Sequence, residues 1–226
     1  IITPSDADSV VCVGAVSAAG AVGSFSSYGP SSDGQVKPDV ASVGVAALAQ
    51  SPSNTIGTAS GTSFACPNMA GLGTCLWQGF PEYNNIKIIQ ALRAAGSKYT
   101  TPDNRVGFGI PNMKLAFSNL LTEFATSSSS VNNCQVTLNW NTKDVGAMRY
   151  EIERKAPGET NYSKIGDMAA QPGALLANRS YQYVNDLVGG STGLFSYRIR
   201  QVIDTAAASF AAVYIDTTNI SVTSCI

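Results

Sequence analysis

Ser60-Gly61-Thr62-Ser63-Phe64-Ala65-Cys66-Pro67-Asn68-Met69-Ala70-Gly71 sets a turn of small residues directly before a run that is almost wholly apolar. Gly61 permits a tight or left-handed backbone, and Thr62 is a natural N-cap. Ser63 then falls in the first turn of a helix, where unpaired N–H groups and the positive dipole end favour a developing anion. A hydroxyl nucleophile uses that setting. From residue 63 to residue 78 only Ser63, Asn68, Thr74 and Gln78 are polar, so the expected element is a central buried helix without a solvated face. Pro67 lies about one turn in, where it is tolerated, and leaves the Ser63 carbonyl without its helical partner. The competing reading is a capped core helix in an unrelated α/β protein.

Outward from this stretch, no charged residue occurs between Asp39 and Glu82, as expected for the interior of a layered α/β domain. The β-branched run at 10–16 predicts a buried parallel strand, and 43–49 and 55–59 predict two more. Residues 85–95 carry Ile86, Ile88, Ile89, Ala91 and Leu92 at helical spacing, with Gly96 as the stop. A last helix is predicted over 113–121. The Gly107-x-Gly109-x-Pro111 element before it lacks the following Lys of a phosphate-binding loop. Asp39 beside Lys37 reads most simply as a surface or turn pair, and Lys87, Lys98 and Lys114 also lie in stretches that read as surface.

The 226 residues are 44% hydrophobic and 13% charged, enough to bury a substantial core. Fourteen basic against fifteen acidic residues give a net charge of −1, so there is no electrostatic case for nucleic acid or an anionic membrane. No apolar run reaches transmembrane length. Histidine is absent, which excludes His-ligated metals and a Ser/His/Asp triad contained within the chain. The opening Ile1-Ile2-Thr3-Pro4 has neither initiator Met nor signal peptide, suggesting a truncated, processed or partial chain. Asp6 and Asp8 alone make no calcium site. Cys66 and Cys75 are too far apart along one helix to bond, and with Cys12 they are expected as buried free thiols. Cys134 and Cys225 bracket the C-terminal region; a bond between them would close a loop of about 90 residues, although connectivity does not follow from sequence.

At Thr126-Ser127-Ser128-Ser129-Ser130-Val131-Asn132-Asn133 the pattern changes from mixed α/β to alternation, which predicts a Ser-rich linker over 122–131 between domains at 1–121 and 132–226. Val136-Thr137-Leu138-Asn139-Trp140, Tyr150-Glu151-Ile152-Glu153-Arg154, Tyr181-Gln182-Tyr183 and Phe195-Ser196-Tyr197-Arg198-Ile199-Arg200 alternate, separated by turn clusters at 156–158, 171–173 and 188–191. They predict a two-sheet β-sandwich. Glu151, Glu153 and Arg154 read as a solvated strand face.

The pattern G-T-S-x-A-x-P and the x-x-A-G after it, from Gly61 to Gly71, resemble the serine motif of the subtilisin-like proteases, the subtilases. Asn68 departs from it where the family usually has a His outside the triad. Phe25-Ser26-Ser27-Tyr28-Gly29-Pro30, Lys37-Pro38-Asp39-Val40-Ala41 and the Gly-x-Gly-x-Pro element also resemble subtilase segments, covering roughly residues 3–117; Ser42-Val43-Gly44 departs from the usual Ala-Pro-Gly. The resemblance implies an α/β fold with a parallel sheet and a buried central helix, and a serine endopeptidase acting on polypeptides. It implies Ser63 as nucleophile, its backbone N–H as an oxyanion donor, Gly61 and Thr62 beside it, and Pro4 with its neighbours at the wall of the substrate pocket. The Asp, the His and an oxyanion Asn would lie upstream of Ile1, making the missing N-terminal part of the same protein an expected partner and leaving this chain inactive alone. Secretion or a cell-surface location is inferred with the family, no cofactor is expected, and calcium is left open. The segments at 138–140 and 197–202 resemble the fibronectin type III pattern. Two alternatives stand beside this reading: a sedolisin-like peptidase with Glu in place of His, and a non-catalytic adhesion or binding protein on a degenerate protease scaffold.

Overall fold

The computed structural model describes residues 1–144, 147–173, 176–187, 191–204 and 213–223. The chain divides into two compact units, Ile1–Phe117 and Ser118–Ile226.

In the first unit β1 (Val13–Val16) pairs in parallel with β2 (Val40–Val43), Val13 opposite Val40 and Val16 opposite Val43. Ala15, Val16, Val40 and Ala41 are fully or nearly fully buried, as a parallel pair covered on both faces requires. The expected strand at 43–49 is divided. The chain bends after Val43, passes a positive φ at Ala46, and resumes as β3 (Ala47–Gln50), an antiparallel hairpin with β4 (Ile56–Ala59). The predicted helices form α1 (Thr62–Gly79) and α2 (Asn85–Ala94), which is capped by the Asn84 carboxamide accepting from Lys87 N at 3.0 Å. α3 (Met113–Phe124) begins in this unit, continues into the second, and runs three residues beyond its predicted end.

Two expectations for this unit are corrected. α1 is not buried all round: Ala65, Met69, Leu76 and Gly79 are its buried residues, while Leu72 and Trp77 are each 42% exposed. It packs one side against β1, β2 and α2 and presents the other. Nor are Lys37 and Asp39 a surface pair, since both side chains are 0% exposed. The Asp39 carboxylate accepts from Lys37 Nζ at 3.1 Å, from the backbone N–H of Cys12 at 2.7 Å and from the Arg93 guanidinium, whose Nε lies at 3.1 Å. Lys37 Nζ donates as well to Ala7 O at 3.0 Å. Burial of these charges is sustained because each is paired and hydrogen-bonded.

The second unit holds two antiparallel sheets. β5 (Thr126–Asn132), β6 (Gln135–Lys143) and β9 (Asn178–Asp186) form one in the order β5-β6-β9. β7 (Ala147–Lys155), β8 (Ser163–Ala169), β10 (Gly193–Asp204) and β11 (Val213–Val222) form the other in the order β11-β10-β7-β8. Aromatic rings fill the space between them: Tyr150 of β7 lies 4.4 Å from Tyr181 and 5.5 Å from Trp140, centroid to centroid. The stretch expected as a linker is instead β5, paired with β6 from Thr126 opposite Asn141 to Asn132 opposite Gln135. Short Ser and Thr side chains suit an edge strand whose residues are exposed throughout, and Ser127 Oγ donates to Asp216 at 2.6 Å.

Cys134 is disulfide-bonded; Cys225, the partner suggested by sequence, lies outside the described residues, as do 188–190 of the last turn cluster. Cys12 is a buried free thiol, whereas Cys66 and Cys75 are free and exposed, because the buried stripe of α1 is narrow and they flank it from opposite sides.

Candidate active site

Ser63 is the second residue of α1, and its side chain is exposed. Among the described residues no hydrogen bond engages its hydroxyl. The turn before it differs in detail from expectation. Gly61, not Thr62, is the N-cap, with φ 161° and ψ 152°, an extended backbone rather than a left-handed one. No side chain caps the helix, so among its first N–H groups those of Thr62 and Ser63 are left to whatever occupies the space in front of them. That is the arrangement an oxyanion needs.

The loop is fixed from behind. Gly61 N donates to Gly44 O at 2.8 Å, Ser60 Oγ accepts from Ala46 N at 3.0 Å, and Phe64 N donates to Gly61 O at 3.1 Å. A Cβ added at Gly44 would lie 2.7 Å from Gly61 O and 2.9 Å from the Cβ atoms of Ala15 and Ala65. Gly44 therefore sets how closely the β2 end, β1 and the helix start can approach. Asn68 donates from Nδ2 to Val43 O at 3.0 Å, tying the second turn of α1 to the same strand end.

Ser63 opens into a cavity of about 810 Å³. Thr62, Cys66 and Pro67 of α1 line one side, and Val11, Cys12 and Val13 line another. Ile2 and Ser5 also line it, so the neighbours of Pro4 reach the cavity but Pro4 itself is not in its lining. The buried Asp39 network stands behind this wall through the Cys12 N–H. Burial, and secondarily the Asp39 charge, pushes the Cys12 thiol up, so it is a poor nucleophile. A smaller apolar cavity of about 240 Å³ runs along α1 beside Met69, Gly73, Trp77 and Ile88 and does not include Ser63.

The remaining sequence candidates sit apart from this site. Lys98 pairs with Asp103, whose carboxyl is held below the usual carboxylate range first by Lys98 and then by the N–H groups of Val106 and Arg105. Lys87 lies over the Tyr83 ring at 5.9 Å. Asp6 accepts from Thr3 at 3.3 Å and Asp8 from Gln35 at 2.6 Å, and among the described residues no three His, Cys, Asp or Glu side chains gather as a metal cluster. Sequence reasoning missed the Lys37–Asp39–Arg93 network. Its only signal was a charged pair at the border of a long uncharged stretch.

Residues 1–109 match the model of the subtilase family, Peptidase_S8. Among solved structures, the self-cleaved protease domain of PatA is similar over 52% of this chain and 44% of its own, at 24% identity and a TM-score of 0.44. The prenylagaramide maturation protease PagA is similar over 52% of this chain and 45% of its own, at 27% identity and a TM-score of 0.44. A protease of Pseudoalteromonas arctica is similar over 52% and 38%, at 23% identity and a TM-score of 0.43. The chain thus spans less than half the length of these structures.

Proposed function

We propose that the first unit is the serine-bearing part of a subtilisin-like serine endopeptidase, cleaving polypeptides through an acyl-enzyme on Ser63. The observation that carries this reading is the position of Ser63, an uncommitted hydroxyl at the uncapped start of α1, open to a large cavity, within a stretch that matches the subtilase model. Ser63 Oγ attacks the scissile carbonyl, and the Ser63 N–H, with its neighbours at the helix start, receives the developing oxyanion. Thr62 lies beside the nucleophile. Ile2 and Ser5 bound the space for the residue preceding the cleaved bond.

The 226 residues contain no histidine, and among the described residues no other side chain hydrogen-bonds the Ser63 hydroxyl, so the reading places the base that takes its proton on polypeptide outside this chain. We assign that base, its carboxylate and one oxyanion donor to the N-terminal part of the same protein, which also covers the open side of α1. Secretion or a cell-surface location belongs to the same proposal, and so does a fibronectin III-like second unit, supported by its three- and four-stranded sheets and its Trp140–Tyr150–Tyr181 core.

The test is labelling by a serine-directed phosphonylating reagent, read by mass spectrometry. With the N-terminal part present, in one chain or as a complementing fragment, Ser63 takes the label and Ser63→Ala abolishes it. An assembled protein whose Ser63 stays unlabelled contradicts the proposal and favours a binding protein on a protease scaffold.

A further inference from the structure

The two outward faces of the second unit differ in chemistry. On the four-stranded sheet charges interlock: Glu151 joins Arg200 at 2.7 Å, Arg149 at 3.2 Å and Lys164 at 3.6 Å, and Glu153 joins Arg198. On the three-stranded sheet the row between the buried residues Val136, Leu138 and Trp140 reads Gln135, Thr137, Asn139, Asn141. Cross-strand register places β5 hydroxyls opposite them, Ser128 facing Asn139 and Ser130 facing Thr137. On the other side stand Ser180 and Gln182, facing Asn141 and Asn139. From Gln135 to Asn141 and directly across on both neighbours, Asp186 is the one charged side chain, and it accepts from Gln135 at 2.9 Å.

These groups are held in register. Gln182 Nε2 donates to Asn139 Oδ1 at 3.0 Å, Ser180 Oγ to Asn141 Oδ1 at 2.6 Å, and Asn141 Nδ2 to Thr126 Oγ1 at 3.2 Å. A carboxamide has two donors and a carbonyl with two lone pairs, so one cross-strand bond leaves most of its capacity open. Strand spacing of about 4.8 Å and an alternate-residue repeat of about 6.6 Å set these groups on a flat grid.

We propose that this face binds a neutral, extended polysaccharide, with β-linked sugars as the class. The four-stranded sheet of the same unit mixes both signs of charge, and this face does not. A nucleic acid or acidic polymer requires cations, which the face lacks. A protein interface core is enriched in aromatic, Met and Arg anchors, and Val184 is the one apolar group among the described residues of this face. An uncharged polyhydroxyl chain has the complementary pattern, alternating donors and acceptors on a flat ribbon at intervals close to those of the grid. The proposal does not depend on the protease reading.

The experiment uses the complete 226-residue chain: affinity electrophoresis in gels holding a soluble neutral β-glucan, and depletion onto insoluble cellulose and chitin, in low and high salt. Retention on at least one of these, persisting in high salt, is expected. Asn139→Asp combined with Gln182→Glu keeps side-chain size and sets carboxylates against each other; loss of two neutral hydrogen bonds to the ligand weakens retention about tenfold. Ser128→Glu on the exposed edge strand gives the same direction without disturbing that pair. Lys164→Gln, on the opposite sheet, leaves retention unchanged. No retention on any of the three polymers overturns the proposal, as does retention that high salt abolishes or that the face variants keep. A dimer dissociated by the same variants also overturns it, giving the face to a second copy.

Discussion

Gly44 and Gly61 bracket the loop that leads to Ser63, and the two have opposite tolerances. A methyl group at Gly44 meets backbone and two Cβ atoms inside 3.0 Å, while at Gly61 nothing stands closer than 3.6 Å. Gly44→Ala should therefore destabilise the first unit by about 1–3 kcal/mol, as overpacking does. Gly61→Ala should stay within about 0.5 kcal/mol. Urea unfolding of both variants checks this, and equal effects would contradict the geometry. Asp39→Asn leaves Lys37 and Arg93 facing a neutral amide in a buried place, an expected loss of about 3–5 kcal/mol. The helix start at Ser63 was legible in sequence because the signals that begin a helix are local. The roles of Gly44 and Asp39 were not, since close approach and burial are set by segments distant in the chain: Asp39 meets Cys12 and Arg93, and Gly44 meets Ala15 and Ala65.

Among the elements of the second unit, the four strands read from alternation are β6, β7, β9 and β10, and the three missed are β5, β8 and β11. The missed ones are all sheet edges. An edge strand has neighbours on one side, so its two faces differ less in burial and its sequence carries less of the period-2 signal. Serine was thus read as linker where it is strand. Inside the sandwich, Asp144 accepts from the phenols of Tyr150 and Tyr181, the latter at 2.6 Å. Burial first, and then the bond to Asp144, pushes Tyr181 up to about 12, and the same causes raise Tyr150. Both shifts favour the neutral phenol in the folded state. Their contribution is therefore complete below the ordinary tyrosine value of about 10 and is lost as the pH rises toward that of the folded group. Unfolding midpoints of the chain should fall between pH about 10 and 12, and Tyr181→Phe should flatten that fall. A Tyr181 phenolate that appears at its ordinary pH in the folded chain would show the cluster to be open.

At the scale of the molecule, the composition of α1 showed that the helix needs cover but not where the cover comes from. It has the apolar content of a central helix, yet it offers Leu72, Trp77 and Cys75 to the outside. On the proposed reading Ser63 likewise has the setting of a nucleophile without the base, because a serine hydroxyl stays a poor nucleophile until a base takes its proton. In subtilisin, the measured reference for these magnitudes, loss of the catalytic His costs on the order of 10⁶ in turnover, and loss of the oxyanion Asn about 10² to 10³. Hydrolysis of an unstructured peptide by the purified 226-residue chain is the most direct measurement. The account predicts no Ser63-dependent cleavage by the chain alone, and cleavage once the N-terminal part is added. Cleavage by the isolated chain that Ser63→Ala abolishes would contradict it, and would require a base among the residues present.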